Sequence, residues 1–94
     1  VSAAGVKSSV TNRFRKLLSL LPLDVQRQAD RAFNLWRTDP YRNSLQFKRV
    51  NAREGVYSVR VGIGHRALGI LEDDFISWYW IGTHAEYDEI LRRL

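Results

Sequence analysis

Apolar residues recur with a helical period up to about residue 40 and with a two-residue period after it. Phe14, Leu17, Leu18 and Leu21 fall at i, i+3, i+4 and i+7, one stripe of a short helix whose other face carries Arg13, Arg15 and Lys16. Pro22 ends it. Asp24 is placed to cap a second helix with Val25, Ala29, Ala32, Phe33 and Trp36 on its apolar face, and Asp39-Pro40 closes that helix because a residue before proline avoids the α region. The two helices form a hairpin. Ahead of them, Ser8 to Thr11 carry a weak strand signal.

Beyond Pro40, β-branched and aromatic residues predict four strands, Leu45 to Asn51, Val56 to Val61, His65 to Glu72 and Phe75 to Ile81. Arg53-Glu54-Gly55, Gly62-Ile63-Gly64 and Asp73-Asp74 are too short to hold a crossover helix, so the strands form an antiparallel meander in chain order. Tyr87, Ile90, Leu91 and Leu94 then return to helical spacing, with Thr83 and Glu86 as a capping box at the start of this last helix. The expected fold is α+β: an N-terminal helical hairpin packed on a four-stranded antiparallel sheet, with a C-terminal helix, the helices gathered on one face.

Loop length at Gly62-Ile63-Gly64 determines which side chains share a face. A three-residue loop, with Gly64 supplying the positive φ, pairs Val61 with His65 and Arg60 with Arg66, so that both guanidinium groups leave the same side. A two-residue turn inverts that pattern. In the favoured register Tyr57, Val59 and Val61 share a face with Ala67, Gly69 and Leu71, where the small Ala67 and Gly69 leave room for helices. Like charges directly opposite each other destabilise a hairpin by roughly 0.2–1 kcal/mol, which suggests an anion between them, phosphate above all. The plainer alternative pairs each arginine with a nearby carboxylate on a solvated face.

Composition narrows the chemistry. Ninety-four residues, 45% hydrophobic and 27% charged, fit one domain spanning 1–94 and exclude a two-domain enzyme. Without cysteine, and with two histidines, there is no disulfide framework, thiol nucleophile or cysteine-bound zinc, and neither a metal nor a cofactor is expected. The net charge is +5 and twelve of the fifteen cations are arginine, the side chain suited to phosphate forks and stacking. Residues 1–70 hold thirteen Lys/Arg against four Asp/Glu, residues 71–94 two against six, so a polyanion is expected to meet the first part. No apolar run approaches the roughly 20 residues of a membrane span, and the opening residues are too weakly apolar for a signal peptide. A cytoplasmic protein without membrane contact is expected, with about residues 1–9 a flexible or non-native lead-in.

Several motifs then converge. Leu45, Phe47, Lys48 and Arg49, followed by Gly55 with Tyr57-Ser58-Val59-Arg60-Val61, by Arg66-Ala67-Leu68, and by Trp80-Ile81-Gly82-Thr83-His84-Ala85-Glu86-Tyr87-Asp88, together resemble the RelE/ParE toxin superfamily of bacterial toxin–antitoxin modules. The resemblance spans about Phe14 to Leu94. It implies the fold just described, usually with an N-terminal strand, and a labile antitoxin that folds over the toxin. It also implies one of two activities: cleavage of messenger RNA in the ribosome, or inhibition of DNA gyrase without cleavage. A third possibility is a catalytically degenerate member that keeps antitoxin binding. Carried over by position, the catalytic cluster of the RNA-cutting branch falls on Arg60, Arg66 and His84, with Tyr87 beside it. Ser58 departs from the pattern, standing where several RelE-like members have lysine, and strand alternation lets either Lys48 or Arg49 compensate.

Metal-free RNA cleavage needs a base for the 2′-hydroxyl, cations for the phosphorane and an acid for the departing 5′ oxygen. Arginine stays protonated and is no base, which suits Arg60 and Arg66 to clamping nonbridging oxygens. His84 is expected as base or proton shuttle, since a helix N-terminus and neighbouring arginines both disfavour imidazolium. Tyr87 lies on the packed stripe of its helix, and His65 reads as a turn-edge residue. Of Trp78, Tyr79 and Trp80, at most one is expected to be free to stack on a base.

Overall fold

The structure, a computed structural model, describes residues 7–51 and 54–94. In chain order its elements are β1 (Lys7–Val10), α1 (Asn12–Ser19), α2 (Leu23–Thr38), a 3-10 turn (Asn43–Leu45), β2 (Lys48–Asn51), β3 (Val56–Val61), β4 (His65–Glu72), β5 (Phe75–Thr83) and α3 (His84–Arg93). The expected meander is present and gains an edge strand, giving the order β1-β5-β4-β3-β2. β1 pairs with β5 in parallel, Lys7 opposite Phe75 through Val10 opposite Trp78. The weak signal at Ser8 to Thr11 is thus a real strand, and the lead-in expected over residues 1–9 gives way to ordered chain by Lys7. Arg53, part of the expected turn before β3, lies outside the described residues.

Helix boundaries differ from the sequence expectation in one respect. Thr11 caps α1 by accepting a hydrogen bond from the Phe14 N–H at 3.1 Å. At α2 the cap position is Pro22, and Asp24 sits inside the first turn, where its charge faces the positive end of the helix dipole. Asp39 ends α2 as expected.

Strand alternation sorts the core into two layers on opposite faces of the sheet. On one face α1 and α2 bury Phe14, Ala29 and Trp36 against Val59, Val61, Ala67, Trp78 and Ile81. Trp36 is the hub, meeting Trp78 edge-on at 5.4 Å and Phe47 at 5.6 Å, while Phe47 stacks on Tyr57 at 5.0 Å. Each such buried ring contributes about 1.5–3 kcal/mol by leaving water. On the other face α3 packs Tyr87 against Val56, Leu68 and Trp80. The helices are therefore divided between the faces, because the α3 stripe meets residues of opposite parity from those under the hairpin.

A β-bulge makes this division possible in β5. Leu68 lies opposite Trp80 and Gly69 opposite Trp78, leaving Tyr79 as an extra residue that reverses the alternation. Trp78 thus enters the hairpin core while Trp80, two residues on, goes beneath α3. Gly69 is explained by the same ring: a Cβ there would lie 2.7 Å from the Trp78 side chain, so the glycine accommodates a neighbouring strand's tryptophan rather than a helix.

Candidate functional site

The β3–β4 hairpin has the expected three-residue register, with Val61 opposite His65 and Arg60 opposite Arg66. The positive φ belongs to Gly62, at 61°, and not to Gly64. Gly62 opens the loop and lies beneath Gln28 of α2, where a Cβ would collide with the Gln28 side chain. The loop is also tied to the next element: the His84 backbone N–H donates to the Gly64 carbonyl at 2.9 Å. That bond brings the first residue of α3 beside the two arginines, which lie some twenty residues earlier in the chain.

The two guanidinium groups have different environments. Arg60 is half-buried, and its Nε donates to the Gly62 carbonyl at 2.9 Å. Arg66 is 3% exposed. It donates to Gln46 Oε1 at 2.9 Å, to the Gln46 carbonyl at 3.2 Å and to Ser58 Oγ at 2.8 Å, with its Cζ 4.9 Å from the centre of the Tyr87 ring. The Tyr87 hydroxyl donates to the same Ser58 Oγ at 3.2 Å. Ser58 is completely buried at the centre of this network. Among the described residues no carboxylate lies within ion-pair distance of either arginine. Burial pulls the Arg66 guanidinium below its ordinary pKa and the charge of Arg60 adds to that, while Tyr87 and Asp88 oppose both. Arginine starts so high that it stays charged.

His84 occupies the first position of α3, and its side chain is 57% exposed. Its ring centre lies 5.7 Å from that of Tyr87, and Nε2 is 3.6 Å from Asp88 Oδ2. The expected capping box is complete, with the Glu86 N–H donating to Thr83 Oγ1 at 3.2 Å and the Thr83 N–H donating to Glu86 Oε1 at 2.8 Å. These hydrogen bonds hold the Glu86 carboxyl below its usual pKa.

Arg60, Arg66, Tyr87 and His84 therefore form a continuous row at one end of the sheet, exposed at His84, half-open at Arg60 and floored by Arg66, Tyr87 and Ser58. Register decides between the two flanking cations. Lys48 lies opposite Ser58 and shares its face, while Arg49 lies opposite Tyr57 on the hairpin side. His65 is paired with Val61 and Thr83 at the strand end, in agreement with its reading as a turn-edge residue. Of the three consecutive aromatics, Trp78 and Trp80 are buried and Tyr79 keeps partial exposure.

A family model for the ParE-like toxin domain matches residues 23–89, well over half of the chain. The chain belongs to the ParE-like toxin family. Solved structures share the toxin fold at low sequence identity. YafQ of Escherichia coli strain BL21(DE3) superposes with a TM-score of 0.69 at 15% identity, over 87% of this chain and 97% of that one. A RelB–RelE antitoxin–toxin complex from Methanococcus jannaschii gives 0.68 at 15% identity, covering 86% and 95%. The RelBE2 toxin–antitoxin complex from Mycobacterium tuberculosis gives 0.63 at 22%, covering 85% and 99%. No curated protein matches the sequence. This toxin domain has one site residue that sequence reasoning missed, Gln46. Leu45 to Lys48 alternate as a strand should, yet Gln46 adopts a left-handed backbone with φ 46° and turns both its carbonyl and its side chain onto Arg66. The turn-forming Asn43-Ser44 just before it was the sole local sign of a break.

Proposed function

We propose that the chain is the toxin of a toxin–antitoxin pair and that it arrests translation by cleaving ribosome-bound messenger RNA. The supporting observation is the row of Arg60, Arg66, Tyr87 and His84, in which two guanidinium groups without carboxylate contacts adjoin an exposed imidazole. In this reading His84 exchanges the proton between the 2′-hydroxyl and the leaving 5′ oxygen, with the Asp88 carboxylate orienting the ring. Arg60 contacts the nonbridging oxygens, and Lys48 follows the RNA backbone on the same face. Arg66 is a positioning residue: its donors go to Gln46 and Ser58, and it contributes positive potential from below while holding Tyr87 in place. The protein is expected to act in the cytoplasm, paired with a cognate antitoxin until released, as RelE is with RelB in the solved complexes.

A second reading, inhibition of DNA gyrase without cleavage, draws on the ParE-like family match and on Ser58 standing where RelE-like toxins have lysine. One experiment separates the two. The parent chain, Arg60→Ala and His84→Ala are added to a translating extract with a reporter message, beside a DNA supercoiling assay. Codon-phased cuts that vanish in both variants support RNA cleavage. Blocked supercoiling that survives His84→Ala, with no cuts, refutes it in favour of gyrase inhibition.

A further inference from the structure

The hairpin does not close completely on the sheet. Between them lies a cavity of about 240 Å³ walled by apolar side chains, Phe14, Leu18, Phe33, Trp36, Val59 and Trp78 among them. Its two charged wall residues, Arg15 and Asp30, are exposed. The volume exceeds that of an apolar cavity of about 150 Å³ that takes up benzene. The wall also holds unused polar atoms: the indole N–H groups of Trp36 and Trp78, both buried, have no hydrogen-bond acceptor. Indole nitrogen is a donor only, and buried tryptophans ordinarily find a partner for it. Here two such donors sit on rings 5.4 Å apart that both face one cavity.

We propose that this cavity binds a small, largely apolar ring compound carrying a hydrogen-bond acceptor, such as an aromatic ketone, whose ring packs on Phe14 and Phe33 while its oxygen accepts from Trp36 or Trp78. The site is independent of the proposed nuclease role. It backs onto Val59, Val61 and Ala67, whereas Ser58, Arg60 and Arg66 leave the opposite face of the same strands. Apolar enclosure supplies the driving force, and the orphan donors supply the selectivity.

The test is a titration of the 15N-labelled full chain with acetophenone and with ethylbenzene, which matches it in shape and lacks the acceptor. Acetophenone is expected to move the indole N–H resonance of Trp36 or Trp78 downfield and saturably, leaving that of Trp80, in the other core layer, unmoved. Ethylbenzene should bind about tenfold more weakly, the factor that one buried hydrogen bond represents. Replacing the responding tryptophan by phenylalanine should bring the two ligands to parity. Ala32→Leu, which adds bulk to the cavity wall, should abolish binding of both. The proposal is overturned if neither compound shifts an indole resonance at millimolar concentration, if both bind the parent equally, or if a folded Ala32→Leu chain binds like the parent.

Discussion

Replacing Arg66 tests whether a buried cation acts as a strut. In Arg66→Ala, Ser58 Oγ loses a charge-assisted donor in a site without water access, and a buried acceptor left short costs about 1–3 kcal/mol. The desolvated contact with the Tyr87 ring is worth about 2 kcal/mol more. Gln46 is exposed, so its carbonyl and amide rehydrate and add little. Against these losses, the substitution removes a charge that burial and Arg60 already disfavour and that no carboxylate contacts. A net loss of about 3 kcal/mol follows, and for a chain of this size that lowers the melting temperature by roughly 12–24 °C. Arg66→Met keeps an apolar stem over Tyr87 and sheds the charge, so it should stay within about 1 kcal/mol of the parent, as replaced buried ion networks often do. Urea denaturation followed by circular dichroism measures both. If Arg66→Ala costs under about 0.5 kcal/mol, or Arg66→Met unfolds the chain while Arg66→Ala does not, the strut assignment is refuted. A folded Arg66→Met that still makes codon-phased cuts would mean that the Arg66 charge is dispensable for turnover.

Three further outcomes follow from the geometry. Gly62→Ala forces a left-handed backbone and pushes a methyl group into Gln28, so it should destabilise by at least about 1–2 kcal/mol in thermal melts, whereas Gly64→Ala, with open space around it, should cost far less. Thr83→Ala removes the cap that places His84 and should cost about 1 kcal/mol of stability, read by urea melts, together with a lowered cleavage rate. The Glu86 carboxyl has a folded pKa below its unfolded value, so its stabilisation is complete above about pH 4.3 and is lost as pH falls through the depressed folded value. The stability difference between the parent and Glu86→Gln should therefore shrink as the medium is acidified from neutrality, and a difference that grows instead would contradict the assignment.

The candidate site was legible in the chain to the extent that it depends on short-range rules. The three residues of the β3–β4 loop predict Arg60 opposite Arg66, and the Thr83–Glu86 spacing predicts His84 at a helix start; both hold. Loop closure and capping involve neighbours within a few residues, so their geometry is local. That Arg66 points inward as a strut and Arg60 stays half-open was not legible, because it depends on Gln46 and Tyr87 arriving from elsewhere.

The amino-acid order by itself determined the period of each segment, the antiparallel course of β2 to β5 and the face that each of Tyr57 to Val61 presents, since these follow from backbone sterics and from turns of two or three residues. Tertiary structure alone decided that β1 joins β5 in parallel, that a bulge at Tyr79 sends Trp78 and Trp80 to opposite layers, and that α3 covers the face opposite the hairpin. Those outcomes depend on which apolar surfaces remain unburied once the other elements have met, a condition on the whole molecule that no segment of its sequence encodes.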